Sequence, residues 1–380
     1  MRIGIDARTL LANTRGFRRL RGLLEAFFSQ RQGEELVYFA PEGDRPGPWS
    51  PLPKHIRWET PERRLRMLHR RHVGLIGSRV FRDLDVFHFP TAEVWYSKFA
   101  PTVVTLHDLT PLHCSDRFFA TLRERDKYEK HLQQIVKIAD RIATVSEYSR
   151  KDLVETLGLQ PERVRVIYQG YEDFSRAAAS EPLDVFQAMS IPGPYLLYCG
   201  GLDFRKNVEG LIRGFSIYRR EYKGRCVLVI VGSRDPARAS FYPDLKLCAE
   251  KGDVEDAVFL PGWVEDRILG ALYRQAEAFV YPSLFEGFGY SPLEAMAAGV
   301  PVVCSQAASL PEVVGEAALL VDATDPVQLA EAMKRVEEDQ ELRKQLVDRG
   351  RANLARFRWE KAAGQFLELY REVAKEAGRL

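Results

Sequence analysis

The chain has 380 residues, 46% hydrophobic and 28% charged, which excludes wholesale disorder and predicts two domains rather than one core. Its net charge of +2 is too small for a nucleic-acid binder, yet residues 1–180 carry 30 Lys/Arg against 23 Asp/Glu, and the remainder 25 against 30. That basic first half suits either a phosphate-bearing partner or anionic membrane surface, or simply a solvated Arg-rich face.

The opening MRIGIDARTL begins directly in a strand-like alternation, offers no signal peptide, and predicts a cytoplasmic protein. No apolar run reaches the roughly 18–20 residues of a membrane-crossing helix. Short apolar or β-branched runs read as strands at Arg2–Ile5, Leu36–Phe39, Val86–Phe89, Thr102–Leu106, Arg141–Val145 and Arg163–Ile167. Amphipathic helices are expected at Arg18–Gln30 and Tyr128–Ala139. The segment Asp173–Pro194, rich in Ala, Ser and Pro, reads as a linker holding one short helix. Strands resume at Tyr195–Cys199, Arg225–Val231, Val258–Leu260, Ala278–Tyr281, Val302–Cys304 and Ala318–Val321, and Trp359–Leu380 reads as a helix. The alternation predicts two α/β domains with doubly wound parallel sheets, whose ligands sit beyond the carboxyl ends of the strands. Five scattered cysteines lack CxxC spacing, so reduced thiols are expected, with no disulfide framework and no zinc site.

Four stretches carry candidate chemistry. In SLFEGFGYSPLEAMAAG (283–299), Glu286 lies in a Gly-rich loop after a buried strand, where carboxylates often accept sugar or ribose hydroxyls. Gly287 and Gly289 allow close backbone approach to a ligand. Glu294 has a second reading, because Ser291, Pro292 and Glu294 form a capping-box pattern at a helix start. In YLLYCGGLDFRKNVEG (195–210), a strand ends at Gly200–Gly201, Arg205 and Lys206 follow, and Asn207 is placed to cap the next helix. Two adjacent cations there suit a diphosphate leaving group, and a solvated basic turn is the plainer alternative. His107 and Asp108 follow a strand directly, a pair more often structural than catalytic, and His107-x5-His113 does not match a common metal site. Between Asp6 and Leu20 a loop follows the first strand, with Gly16 ahead of a helix.

In this order, MRIGIDAR, HDLTPLH, VSEYSRKDL, RKN after a Gly-ended strand, and FEGFGYSPLEAMAAGVPVV with SLPEVVGEAALLVD resemble the retaining glycosyltransferases of family 4. The resemblance implies the GT-B fold, two Rossmann-like doubly wound domains facing across a cleft: residues 1–175 on the acceptor side, a linker over 176–193, residues 194–356 on the nucleotide-sugar side, and a helix from 357 to 380 crossing back. It implies transfer of a hexose from a nucleotide diphosphate sugar to a saccharide or lipid-linked acceptor, with no cofactor and no metal ligand. GDP-mannose is slightly favoured over UDP-sugars, and peripheral contact at the inner membrane face is allowed for.

By position, the resemblance puts Glu286 next to the donor sugar and Glu294 on the ribose. Arg205 and Lys206 would hold the diphosphate near Gly200 and Gly201, with Gly287, Phe288, Gly289 and Tyr290 supplying backbone donors. Trp263 and Val264 would lie by the base. His107, with Asp108, would reach the sugar and acceptor from the first domain. Two departures stand out: Arg18 replaces the second glycine of the family's Gly-Ile-Gly-Arg-Tyr beside Gly16, and Tyr168-Gln169-Gly170 replaces Pro-Asn-Gly. Arg18 would either bind an anionic acceptor or block the loop. A sugar-nucleotide epimerase or phosphorylase would need signatures this chain does not display. The alternative from a different class is a degenerate GT-B protein that binds nucleotide sugar or a partner without turnover, which Arg18 favours and the intact donor-site charges Arg205, Lys206, Glu286 and Glu294 oppose.

Overall fold

The computed structural model describes residues 1–6, 15–30, 33–39, 56–59, 83–94, 100–174, 183–234 and 241–380. The chain divides into two compact units, one made of residues 1–170 and 357–380, the other of residues 171–356.

The first unit holds a seven-stranded parallel sheet formed by β1 (Arg2–Asp6), β2 (Glu35–Phe39), β3 (Ile56–Glu59), β4 (Val86–Phe89), β5 (Thr102–Thr105), β6 (Arg141–Thr144) and β7 (Val164–Val166). Their spatial order is β3-β2-β1-β4-β5-β6-β7. β3 is an addition to the sequence reading, because IRWE alternates polar and apolar residues and lacks a buried run. Two helices start earlier than expected. Leu122–Ile138 begins after Thr121, whose side chain accepts from the Glu124 amide. Arg15–Gln30 takes Gly16 and Arg18 into its first turn, so Gly16 does not precede the helix. The side chain of Arg18 lies outside the described residues.

The helix Trp359–Glu376 completes this unit's core. Phe366, Leu369, Tyr370 and Val373 bury against Ile3, Leu20, Leu24 and Phe27, with the Phe27 and Phe366 rings 6.3 Å apart and edge-to-face. Its first residue is received by two glycines. A Cβ on Gly22 would fall 2.5 Å from the Trp359 Nε1, and one on Gly170 would fall 2.4 Å from its Cγ. The Gly170 of the unusual Tyr168-Gln169-Gly170 thus makes room for an indole.

The second unit holds a six-stranded parallel sheet: β8 (Tyr195–Cys199), β9 (Val227–Val231), β10 (Val258–Gly262), β11 (Ala278–Tyr281), β12 (Val302–Ser305) and β13 (Ala318–Val321). The order β10-β9-β8-β11-β12-β13 places the reversal of winding between β8 and β11. β8, β9, β11 and β12 are buried along their whole length, as covering both sheet faces with helices requires. Both units follow the doubly wound pattern, and in each the switch of strand order lies beside the first strand of the sheet.

Candidate active site

In the second unit the two loops singled out by sequence leave the carboxyl ends of β8 and β11, the strands on either side of the switch point. They are tied together by backbone: the Leu284 amide donates to the Arg205 carbonyl at 2.8 Å. The tight geometry needs small residues. A Cβ on Gly232 would stand 2.3 Å from the Gly200 carbonyl oxygen, and one on Gly201 would stand 2.9 Å from the Asp203 carboxylate.

Glu286 is the centre of the cluster. It is only 7% exposed, and its Oε1 accepts from Ser283 Oγ at 2.7 Å, from the Tyr281 hydroxyl at 2.8 Å, and from the Lys206 ammonium. Arg205 Nη1 reaches its Oε2 at 3.5 Å and the Phe285 carbonyl at 3.3 Å, while Nε pairs with Asp203 at 3.2 Å. Burial by itself would raise the Glu286 pKa, but Lys206, Arg205 and the hydroxyl donors outweigh it and hold it down to about 2. Lys206 is 5% exposed, and desolvation pulls its ammonium down to about 8 against the opposing attraction of Glu286. The site is therefore a compact anion–cation cluster, and Lys206 is not the solvated basic turn of the plainer sequence reading. Ser309, fully buried, lies 2.8 Å and 3.0 Å from the carbonyls of Glu286 and Phe288 and pins the loop from below.

Two expected helix caps are corrected. The helix Tyr290–Ala297 begins two residues earlier than the capping-box pattern implies, with Gly289 at the cap position (φ 113°), and no side chain caps it. Ser291 is thus inside the helix, and Glu294 is its fifth residue, whose Oε2 accepts from the Tyr273 hydroxyl at 3.1 Å. Asn207 stands at the cap position of Val208–Arg220 but is left-handed (φ 53°), so its amide turns away and donates to the Ala323 carbonyl at 2.7 Å. Glycine is required at 289 for a second reason: a Cβ there would lie 2.7 Å from the Leu310 side chain. Trp263 follows β10 and is 65% exposed, and Val264 beside it is half-buried.

In the first unit, His107 follows β5 and lines a small cavity with Thr105, His88, Gln169, Trp359 and Phe366. Asp108 acts locally, accepting from the Thr110 amide at 2.9 Å to start the helix Thr110–His113. His88, not singled out by sequence, is fully enclosed between the Tyr370 hydroxyl at 2.7 Å and Thr105 Oγ1 at 2.8 Å. Burial, with His107 nearby, lowers its pKa to about 3, so it is neutral and bridges a donor to an acceptor. Among the described residues no group of three or more His, Cys, Asp or Glu stands together as a metal site, and no helix is long and apolar enough to cross a membrane.

Two parallel α/β units, one bearing charged and Gly-rich loops at its switch point, are the architecture of the GT-B class. Comparison with known proteins makes this specific. Residues 23–173 match the model of "Glycosyltransferase Family 4", and residues 188–353 match that of "Glycosyl transferases group 1". An O-antigen chain mannosyltransferase B of Escherichia coli is 32% identical over 310 residues, 80% of this chain and 78% of that protein. A D-inositol 3-phosphate glycosyltransferase of Acidothermus cellulolyticus is 30% identical over 287 residues, 73% of this chain and 63% of the relative. Among solved structures, sucrose-phosphate synthase from Thermosynechococcus elongatus aligns with a TM-score of 0.71 at 21% identity, over 98% of this chain and 99% of the other. HepE of Anabaena, in complex with UDP and glucose, aligns at 0.73 with 18% identity, over 98% and 100%. The chain is a glycosyltransferase and belongs to the GT-B, family 4 type.

Proposed function

We propose that the protein is a retaining hexosyltransferase that takes mannose from GDP-mannose and transfers it to a saccharide or lipid-linked acceptor without a metal ion. The observation that carries the donor reading is the cluster of Glu286 with Lys206 and Arg205 at the β8/β11 switch point. When the bond between the anomeric carbon and the diphosphate oxygen breaks, negative charge grows on the diphosphate. Lys206 and Arg205 counter that charge from fixed positions, which is worth more in a desolvated site than in water. The acceptor hydroxyl forms the new bond to the anomeric carbon and gives up its proton, which the departing diphosphate oxygen is basic enough to take. Glu286, held anionic by its neighbours, is suited to accept from a sugar hydroxyl and stabilise positive charge on the ring. Glu294 takes the ribose hydroxyls, and Trp263 with Val264 meets the base.

The preference for mannose is supported by the mannosyltransferase of Escherichia coli that covers four fifths of the chain. His107 and Asp108 enter on the acceptor side by resemblance. So do Gly16 and Arg18, whose guanidinium would suit an anionic acceptor.

The test is a panel of GDP- and UDP-sugars assayed in excess EDTA, with the anomeric configuration of the product read by NMR. GDP-mannose should be used, with α-configured product and activity intact. Exclusive use of a UDP-sugar, an inverted product, or activity that returns only with a divalent cation would each overturn its part of the reading.

A further inference from the structure

Glu294 accepts a hydrogen bond from a different element, the helix Asp266–Gln275. Tyr273, on the helix Asp266–Gln275, is fully buried, and its ring packs on Phe279 of β11 with centroids 5.5 Å apart. The neighbouring backbone is fixed as well, because the Tyr195 hydroxyl donates to the Leu272 carbonyl at 2.7 Å. From this rigid seat the Tyr273 hydroxyl donates to Glu294 Oε2 at 3.1 Å, while Glu294 itself remains partly exposed. Cys199, the last residue of β8 before Gly200–Gly201, lies against the same hydroxyl. The end of β8, the helix Asp266–Gln275 and the helix Tyr290–Ala297 thus meet around the Tyr273 hydroxyl.

We propose that Tyr273 is a positioning residue, whose hydroxyl fixes the plane of the Glu294 carboxylate so that it meets a vicinal diol, the 2′- and 3′-hydroxyls of the donor nucleotide's ribose. The proposal rests on the reading of Glu294 as the ribose acceptor and adds the group that aims it. A carboxylate on a free side chain loses rotamer entropy when it grips a diol, and one already held does not, so pre-orientation appears as affinity. A tyrosine is suited to the task because it donates one hydrogen bond and leaves the carboxylate anionic. Burial and the adjoining Glu294 keep the phenol protonated, so the bond persists over the working pH range. The plainer role would be reversed, with Glu294 merely satisfying a buried hydroxyl. That role predicts a cost to stability with no dependence on the diol.

Calorimetry separates the two. GDP, UDP and their 2′,3′-dideoxy counterparts are titrated into the unaltered protein, Tyr273→Phe and Glu294→Gln. The unaltered protein should prefer the ribonucleotide over its dideoxy form by about tenfold, the scale of a charge-assisted hydrogen bond. Tyr273→Phe should weaken the ribonucleotide about fivefold and leave the dideoxy form unchanged. Glu294→Gln should flatten the preference whether or not Tyr273 is present, so the two changes should not add. Equal weakening of both nucleotides by Tyr273→Phe, or none, would overturn the positioning role. An undiminished preference in Glu294→Gln would instead overturn the ribose reading beneath it. Binding of neither nucleotide to the unaltered protein would remove both. If Tyr273→Phe does not fold, Tyr273→Met fills the space without a hydroxyl and carries the same expectations.

Discussion

Replacing Glu286 by glutamine isolates one charge, because the amide oxygen still accepts from Ser283 and Tyr281. In the unaltered protein the Glu286 pKa falls from 4.5 to about 2, which favours the ionised cluster by about 3 kcal/mol. Desolvation pulls Lys206 down from 10.5 to about 8 in spite of Glu286, so burying the ammonium offsets much of that gain, as it commonly does in buried pairs. Glu286→Gln removes the favourable half and leaves the desolvated ammonium beside Arg205. The expected loss at pH 7 is about 3 kcal/mol, which for a unit of this size lowers its melting point by roughly 6–12 °C.

The pH dependence follows from the sign. Without Glu286 the folded pKa of Lys206 drops below about 8, while the unfolded value stays at 10.5. Between those limits the unfolded chain binds more protons, so stability rises with pH by up to about 1.4 kcal/mol per unit. In the unaltered protein that rise starts near pH 8; in the variant it starts lower. Thermal melts of both proteins from pH 6 to 9 would show their stabilities converging as pH rises. Parallel curves, or a loss under about 1 kcal/mol at pH 7, would mean that the ion pair does not form in the folded protein. Adding Lys206→Met to Glu286→Gln should recover most of the loss, since no buried charge is then left unpaired.

Two further outcomes follow. Arg205→Ala and Lys206→Ala should each lower turnover by on the order of 10²–10³ in an assay of nucleotide release, and near-normal rates in both would remove their role at the diphosphate. Gly170→Ala should cost about 1–3 kcal/mol in urea denaturation by driving a methyl into the Trp359 indole, and Trp359→Ala in the same chain should relieve part of that cost.

The sheets were legible because buried parallel strands leave continuous apolar runs such as VLVIV and YLLYC, and nearly all of them fall where the sequence places them. β3 was missed because IRWE lacks such a run. Glu286, Arg205 and Lys206 were legible as residue types at strand ends, and the structure adds that they bind one another. That contact joins residues about 80 positions apart, which no local pattern encodes. The caps failed for a definite reason. Ser291 and Asn207 are good local capping residues, but Gly289 and Asn207 adopt positive φ, which shifts one helix start and turns the other side chain away. Tyr273 and His88 gave no signal, since each sits in an apolar segment and reads as core. Their partners, Glu294 and Tyr370, come from elsewhere in the chain.

The assembly of the first unit from both parts of the chain has a consequence in time. Ile3, Leu20, Leu24 and Phe27 are made early, yet the surface that covers them belongs to Phe366, Leu369, Tyr370 and Val373. At 5–20 residues per second, the ribosome needs roughly 10–40 s to go from Gly170 to Val373. Through that interval the nascent first sheet waits with one apolar face uncovered. The second unit, continuous from Tyr171 to Arg356, has all of its strands in hand before the last helix is translated. The order of completion on the ribosome is therefore the reverse of the order of synthesis, and the first unit is the one that holds exposed apolar surface while it waits.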